Sequence, residues 1–156
     1  MSEERFMRRA IALAQEGMEK GRGGPFGAVV VHLGRIVGEG CNCVTSTCDP
    51  TAHAEVVAIR TACAALGRFD LRGCDVYTSC EPCPMCLSAL YWARVDRVFF
   101  ANDRADAARI GFDDALIYEE LSRPRERRTL PLVRMLDAEA RHAFEVWLRK
   151  PDRVEY

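Results

Sequence analysis

No basic surplus, no long apolar run and no low-complexity tract are found in this 156-residue sequence. Its 22 basic and 23 acidic side chains leave a formal net charge of −1. Proteins that hold a long nucleic acid carry excess positive charge, because phosphate contacts dominate that affinity. A nucleic-acid partner is therefore not expected, and the one dense basic run, RPRERR at 123–128, reads as solvated surface. No stretch approaches the roughly 18 apolar residues of a membrane span, so no membrane partner is expected. The opening MSEERFMRRAIALAQEG interrupts its apolar residues with charges and lacks the continuous apolar core of a secretory leader. A reducing, cytoplasmic setting is expected. There the eight cysteines read as metal ligands, catalytic groups or small core residues rather than as disulfide staples. With no repeat or interdomain linker, a single domain over 1–156 is expected, and 49% hydrophobic residues are enough to build its core.

What is present is an alternation of helical and extended patterns. Over 4–20, Met7, Ile11, Ala14 and Met18 recur at helical spacing, with Phe6 and Ala10 widening the stripe, until Gly21, Gly23, Gly24 and Pro25 stop the helix. FGAVVVHLGRIVGEGCNCV reads as a hairpin with strands near 26–32 and 36–43 around His32-Leu33-Gly34-Arg35. A second helix is predicted from about residue 52 to Leu66, with Val56, Ile59, Cys63 and Leu66 on one side, Asp49 or Thr51 as cap and Gly67 as stop. CDVYTS and RVFFA read as strands on either side of a third helix, opened by Pro82 or Pro84 and ending near Arg94. GFDDALIYEEL reads as a loop running into a helix, LPLVRML as a last strand and AEARHAFEVWLRK as a last helix. Strands alternating with helices predict an α/β fold whose sheet is covered on both faces.

The most informative pattern is His53-Ala54-Glu55 followed by Pro82-Cys83-Pro84-Met85-Cys86, a zinc-deaminase signature. Cys83 and Cys86, three apart at a helix start, project from one face. The positive end of that helix favours their thiolate forms, which are what a metal binds. His53 adds an imidazole from the start of the neighbouring helix. Three protein ligands leave the fourth tetrahedral position to water, as in catalytic zinc sites, and zinc lowers the pKa of such a water from 15.7 to about 7. Glu55 is then a carboxylate spared from ligation and suited to proton transfer. A closed structural site with Cys80 as fourth ligand stays open at this point, and leaves Glu55 without a role. An iron–sulfur run would need a cysteine where Leu90 stands. Cys41, Cys43, Cys48, Cys63 and Cys74 read as small, mostly buried apolar residues, and His32 and His142 as solvated or locally hydrogen-bonded.

The segments GGPFGAVVV, DPTAHAEVVAIR, YTSCEPCPMCLSALYWARVDRVFFA and GFDDALIYEEL, with the terminal Glu155-Tyr156, resemble bacterial guanine deaminases of the cytidine-deaminase-like superfamily. The resemblance runs nearly end to end. It implies a three-layer α-β-α fold with a five-stranded mixed sheet, one zinc ion per chain, and conversion of guanine to xanthine and ammonia. It also implies a homodimer exchanging C-terminal segments, about 137–156, each tail closing the partner's site. In this chain it implies Phe26 and Trp92 as apolar walls for a flat ring, Asn42 as the amide that reads a base edge, and Ala54 as a substrate contact beside His53. Asp114 becomes a second carboxylate that binds substrate and assists the departing amine, and Tyr156 the tip of the lid. The chain departs from the pattern in the cysteines flanking Asn42 and in the linker KPDRV before the terminal Glu-Tyr. Rival readings are a deaminase of guanosine, a deaminase of adenosine in tRNA, which needs a basic groove, and a non-catalytic zinc-stabilised interaction module.

Overall fold

Leu33 and Gly34 both adopt positive φ, 48° and 72°, the geometry a two-residue hairpin turn requires. They join β1 (Gly27–His32) to β2 (Arg35–Cys41) where the sequence predicts a hairpin. The computed structural model describes residues 3–156, which form two units, one ending at Asp114 and one spanning Ala115–Tyr156. In the first unit β3 (Cys74–Cys80) pairs antiparallel with β1, and β4 (Arg97–Asn102) pairs parallel with β3, giving a mixed sheet of order β2-β1-β3-β4. Parallel neighbours need a crossover, which α4 (Pro84–Ala93) supplies between β3 and β4. The remaining helices of this unit are α1 (Glu4–Glu19), α2 (Val44–Thr47), α3 (Ala54–Leu66) and α5 (Arg104–Arg109). The second unit holds α6 (Ala115–Ser122), a 3-10 turn (Arg125–Arg127) and α7 (Asp137–Arg149). No helix among the described residues is long and apolar enough to cross a membrane.

The sheet therefore has four strands, not five. The predicted fifth, LPLVRML, carries no regular structure over 131–136. A strand exists through its ladder partner. This segment's own unit contains helices and a 3-10 turn but no strand to pair with, and Pro131 has no N–H to donate.

Strand residues alternate faces. Ala28, Val30 and Val76 pack with Ala54, Ala58 and Ala62 of α3 and with Leu90 and Ala93 of α4. Val29, Val31 and Tyr77 pack with Phe6 and Ala10 of α1, and Tyr77 stacks on Phe99 at 4.6 Å. The helix faces differ in part from those predicted: Phe6, Ala10 and Ala14 are buried as expected. Ile11 and Met18 of α1 are exposed, and the buried line is Phe6, Ala10, Ala14 and Gly17. In α3 the fully buried line is the alanines 54, 58 and 62 with Glu55, while Val56, Ile59, Cys63 and Leu66 are only partly covered. The cause is close approach. A Cβ on Gly27 would lie 2.2 Å from the Ala10 carbonyl oxygen, and one on Gly40 would lie 2.2 Å from that of Ala54. Helices that sit directly on glycine backbone bury alanines and push larger side chains to the margins.

The predicted cap of α3 also shifts. Asp49 accepts from the Thr51 N–H and hydroxyl at 2.8 and 2.6 Å, forming the turn ahead of the helix, and His53 occupies the cap position itself. Among the other cysteines Cys74 is buried and Cys41, Cys43 and Cys63 are partly covered, but Cys48, at φ 52°, is exposed.

Candidate metal centre and catalytic site

Two helix starts meet beyond the carboxyl ends of the parallel strands. β3 ends at Cys80, Cys83 is the cap residue of α4, and Pro84 takes the first helical position, where its missing N–H leaves no bond unmade. The Leu87 N–H donates to the Cys83 carbonyl at 2.8 Å, setting the first turn and placing Cys86 on the face of Cys83. His53 caps α3 in extended geometry, φ −68° and ψ 155°. The His53 side chain makes no capping bond to its own helix, and the Cys83 thiol pairs with Cys86 in the first turn of α4. The imidazole instead meets both thiols, with Nδ1 3.5 Å from Cys83 Sγ and 3.4 Å from Cys86 Sγ.

These spacings fit a tetrahedral zinc ion. Zn–S bonds of about 2.3 Å and Zn–N bonds of about 2.0–2.1 Å at a tetrahedral angle put sulfur and nitrogen about 3.5–3.6 Å apart. All three ligand atoms lie within 4.8 Å of one another, and two thiols with an imidazole form a donor set suited to zinc. The hydrogen bond from the Cys86 thiol, reinforced by His53, holds the Cys83 thiol down at about 4 despite burial. That same bond, together with burial, raises Cys86, so the proton shared by the pair resides there. His53 is raised by its bond to Cys83. A cation bound between them displaces the shared proton, because these ligands bind deprotonated.

Glu55 lies in the first turn of α3, only 6% exposed. Burial pushes its carboxyl above the usual carboxylate range, against the pull of the backbone and of Cys86. It stands outside the ligand set and accepts a hydrogen bond at Oε1 from the Thr78 hydroxyl at 3.4 Å. A buried carboxyl with a raised pKa, next to the ligand cluster but outside it, is suited to passing protons.

The model of the cytidine and deoxycytidylate deaminase zinc-binding region matches residues 1–102. The chain belongs to that deaminase family. It is 52% identical over its whole length to the guanine deaminase of Bacillus subtilis (strain 168), covering 100% of both sequences. The X-ray structure of the guanine deaminase from Bacillus subtilis superposes with a TM-score of 0.97 over 100% of this chain and 99% of that one. A more distant relative, the tRNA-specific adenosine deaminase of Aquifex aeolicus, is 42% identical over 101 residues, covering 65% of this chain and 66% of that protein. A solved relative in complex with 8-azaguanine is 33% identical, with a TM-score of 0.68 over 78% of this chain and 66% of that chain. The domain is thus a zinc-binding deaminase domain of α/β cytidine-deaminase-like fold, with His53, Cys83 and Cys86 as its candidate zinc ligands.

Cys80 does not close this deaminase centre. Its thiol is directed to the Asp103 carbonyl at 3.7 Å, and burial pushes it up to about 11. It is absent from the ligand cluster. Phe26 and Asn42 are tied to each other through the backbone. The Asn42 N–H donates to the Phe26 carbonyl at 3.0 Å. Its side-chain Oδ1 accepts from the Gly24 and Val44 N–H groups at 3.3 and 3.2 Å. Gly23 makes room for this, since a Cβ there would lie 2.2 Å from Oδ1. Ala54 is fully buried beside His53.

The other predicted residues are found in contacts of their own. Trp92 is 66% exposed near the end of α4, about 9 Å along the helix from Cys86 at 1.5 Å per residue, in a shallow groove with Ser88, Tyr91 and Arg94. Asp114 accepts from Arg104 Nε at 3.2 Å. The Arg104 N–H donates to the Glu81 carboxylate at 3.2 Å, tying this corner to the segment before Cys83. Phe112, two residues before Asp114, meets the Phe26 ring edge-on at 4.9 Å. Tyr156 belongs to the second unit and is 71% exposed. Sequence reasoning missed Thr78, Arg104 and Phe112. Thr78 was findable, since it shares strand parity with Val76. An ion pair ten residues apart has no local signature.

Proposed function

We propose that this domain hydrolyses guanine to xanthine and ammonia with one zinc ion per chain. The observation that carries the reading is the meeting of His53, Cys83 and Cys86 beside a buried, unligated Glu55 in a chain 52% identical throughout to a guanine deaminase. When bound, zinc supplies a water acidic enough to react at neutral pH. As the water oxygen bonds to the amine-bearing carbon, Glu55 would take the first water proton and deliver it to the adjacent ring nitrogen; it would then take the second proton from the added hydroxyl and pass it to the amine, whose C–N bond breaks to leave xanthine and ammonia. Phe26 and Trp92 hold the ring by apolar contact, with Ala54 beneath it. The Asn42 NH₂ donates to a ring acceptor, and Asp114 accepts from the amidine edge and assists the amine. Unsatisfied buried groups then penalise bases with another pattern.

The same reading includes a cytoplasmic homodimer of three-layer α-β-α protomers in which the tail, about 137–156, crosses to the partner and brings Tyr156 over its site. Support comes from the second unit, where no residue is buried and Leu116, Leu121, Phe144 and Leu148 stand exposed, and from eight free cysteines, as a reducing compartment requires.

The test is ammonia release from guanine, guanosine, adenine, cytosine, cytidine and a tRNA anticodon stem. Guanine is expected to dominate, and a preference for the stem overturns the reading. Glu55→Gln is expected to keep one zinc per chain and lose about 10²–10⁴ in turnover; wild-type activity in that variant refutes the role of Glu55.

A further inference from the structure

We infer that Thr78 is a positioning residue for Glu55, its hydroxyl anchoring Oε1 so that Oε2 is the oxygen that carries the proton. The inference rests on the reading of Glu55 as proton carrier. Thr78 sits in the middle of β3, in register with Ala28 of β1 and Phe100 of β4. It lies on the same face as Val76, the face packed against α3 and α4. It is 1% exposed. Among Ala28, Val30 and Val76 a valine would fill the same shape, and a buried hydroxyl is costly unless it is bonded. Glu55 Oε1, at 3.4 Å, satisfies it.

Glu55 needs such an anchor. The helix start fixes its Cα, but three side-chain torsions lie between that and the carboxyl, and a working group must be held to about 0.5 Å. A hydroxyl suits the task because it can donate both to a carboxylate oxygen and to the carbonyl oxygen of the protonated acid, more strongly to the former. The bond to Oε1 therefore survives arrival and departure of the proton at Oε2. An ammonium or guanidinium in the same place would favour one protonation state and hinder the alternation.

The experiment compares Thr78→Val with Thr78→Ser in the zinc-loaded full chain, reading kcat, KM for guanine, zinc per chain and Tm. The valine variant is expected to lose about tenfold in kcat, with KM within about twofold and zinc retained. Serine is expected to restore kcat to within about threefold of wild type. In a Glu55→Gln background, Thr78→Val is expected to cost nothing further. Wild-type kcat in the valine variant overturns the inference, as does a fall in kcat that tracks zinc or Tm and is not rescued by serine. If the valine variant does not fold, Thr78→Ser and Thr78→Ala, which differ only in the hydroxyl, read the same quantity, and equal kcat overturns it. Full activity in Glu55→Gln alone would instead remove the reading beneath it.

Discussion

Replacing Gly40 by alanine tests how far the metal centre depends on the packing behind it. A Cβ there would lie 2.2 Å from the Ala54 carbonyl oxygen, 2.6 Å from the Ala58 nitrogen and 3.0 Å from Val57 Cβ. The two shortest contacts are to the backbone of α3, so no rotamer change relieves them. Bringing the carbonyl contact out to even 3.0 Å requires helix and strand to separate by about 0.8 Å. That carbonyl lies between His53 and Glu55, and both move with it. Metal–ligand distances tolerate about 0.2 Å, and a misplacement of about 1 Å costs on the order of 10² in rate. Overpacking adds about 1–3 kcal/mol of destabilisation, or roughly 2–4 °C in Tm per kcal/mol for a chain this size. Gly40→Ala is therefore expected to lose about a hundredfold in kcat/KM for ammonia release from guanine, hold less than one zinc per chain against a weak chelator, and melt about 2–12 °C lower. Adding Val57→Ala should rescue none of this, because the backbone contacts remain. A Gly40→Ala protein with full zinc and wild-type kcat/KM would refute the argument that close helix–strand approach positions the centre.

Three further expectations follow from the geometry. Cys80→Ser should keep one zinc per chain, whereas Cys83→Ser should lose it under the same dialysis; equal loss would restore Cys80 as a ligand. Arg9 forks onto Glu39 with two bonds of 2.8 Å and lowers the Glu39 pKa. The resulting stability is present above the unfolded carboxyl's pKa, near 4.5, and is lost as pH falls through the lower folded value. Because both partners are about a third exposed, Glu39→Gln should cost only about 0.5–1 kcal/mol in urea unfolding at pH 7 and still less near pH 3; an undiminished cost at pH 3 would refute the linkage. The proposed exchanged dimer predicts a Tm that rises with protein concentration and a dimer mass by light scattering; an active monomer would refute it.

The metal ligands were legible because metal chemistry constrains sequence locally. Two thiols on one helix face must be three or four apart, and a proline at the first turn marks where that helix starts. The hairpin was legible for a similar reason, since Leu33-Gly34 is where two positive φ values are needed. The buried stripes of α1 and α3 were legible only in part: Phe6, Ala10 and Ala14 follow from the pattern, Gly17 and the alanines of α3 do not. Hydropathy ranks Ile11 and Met18 above Ala10 and Gly17, but contact with Gly27 and Gly40 selects for small size, and which strand glycine lies beneath which helix is a tertiary fact.

LPLVRML shows the limit most clearly. Its composition states what it would present if extended, yet a strand is defined by its partner, and its own unit provides none. The same logic governs Trp92 and Tyr156, both largely exposed. Apolar surface of this extent is characteristic of an interface. Covering one Leu or Phe side chain stabilises by about 1.5–3 kcal/mol, so Leu116, Leu121, Leu132, Phe144 and Leu148 together represent about as much as the whole stability of a domain. So much uncovered apolar area from residue 115 onward is what the proposed exchanged dimer would cover. Residues whose roles depend on such a partner cannot be read from their own neighbours, in sequence or in the isolated fold.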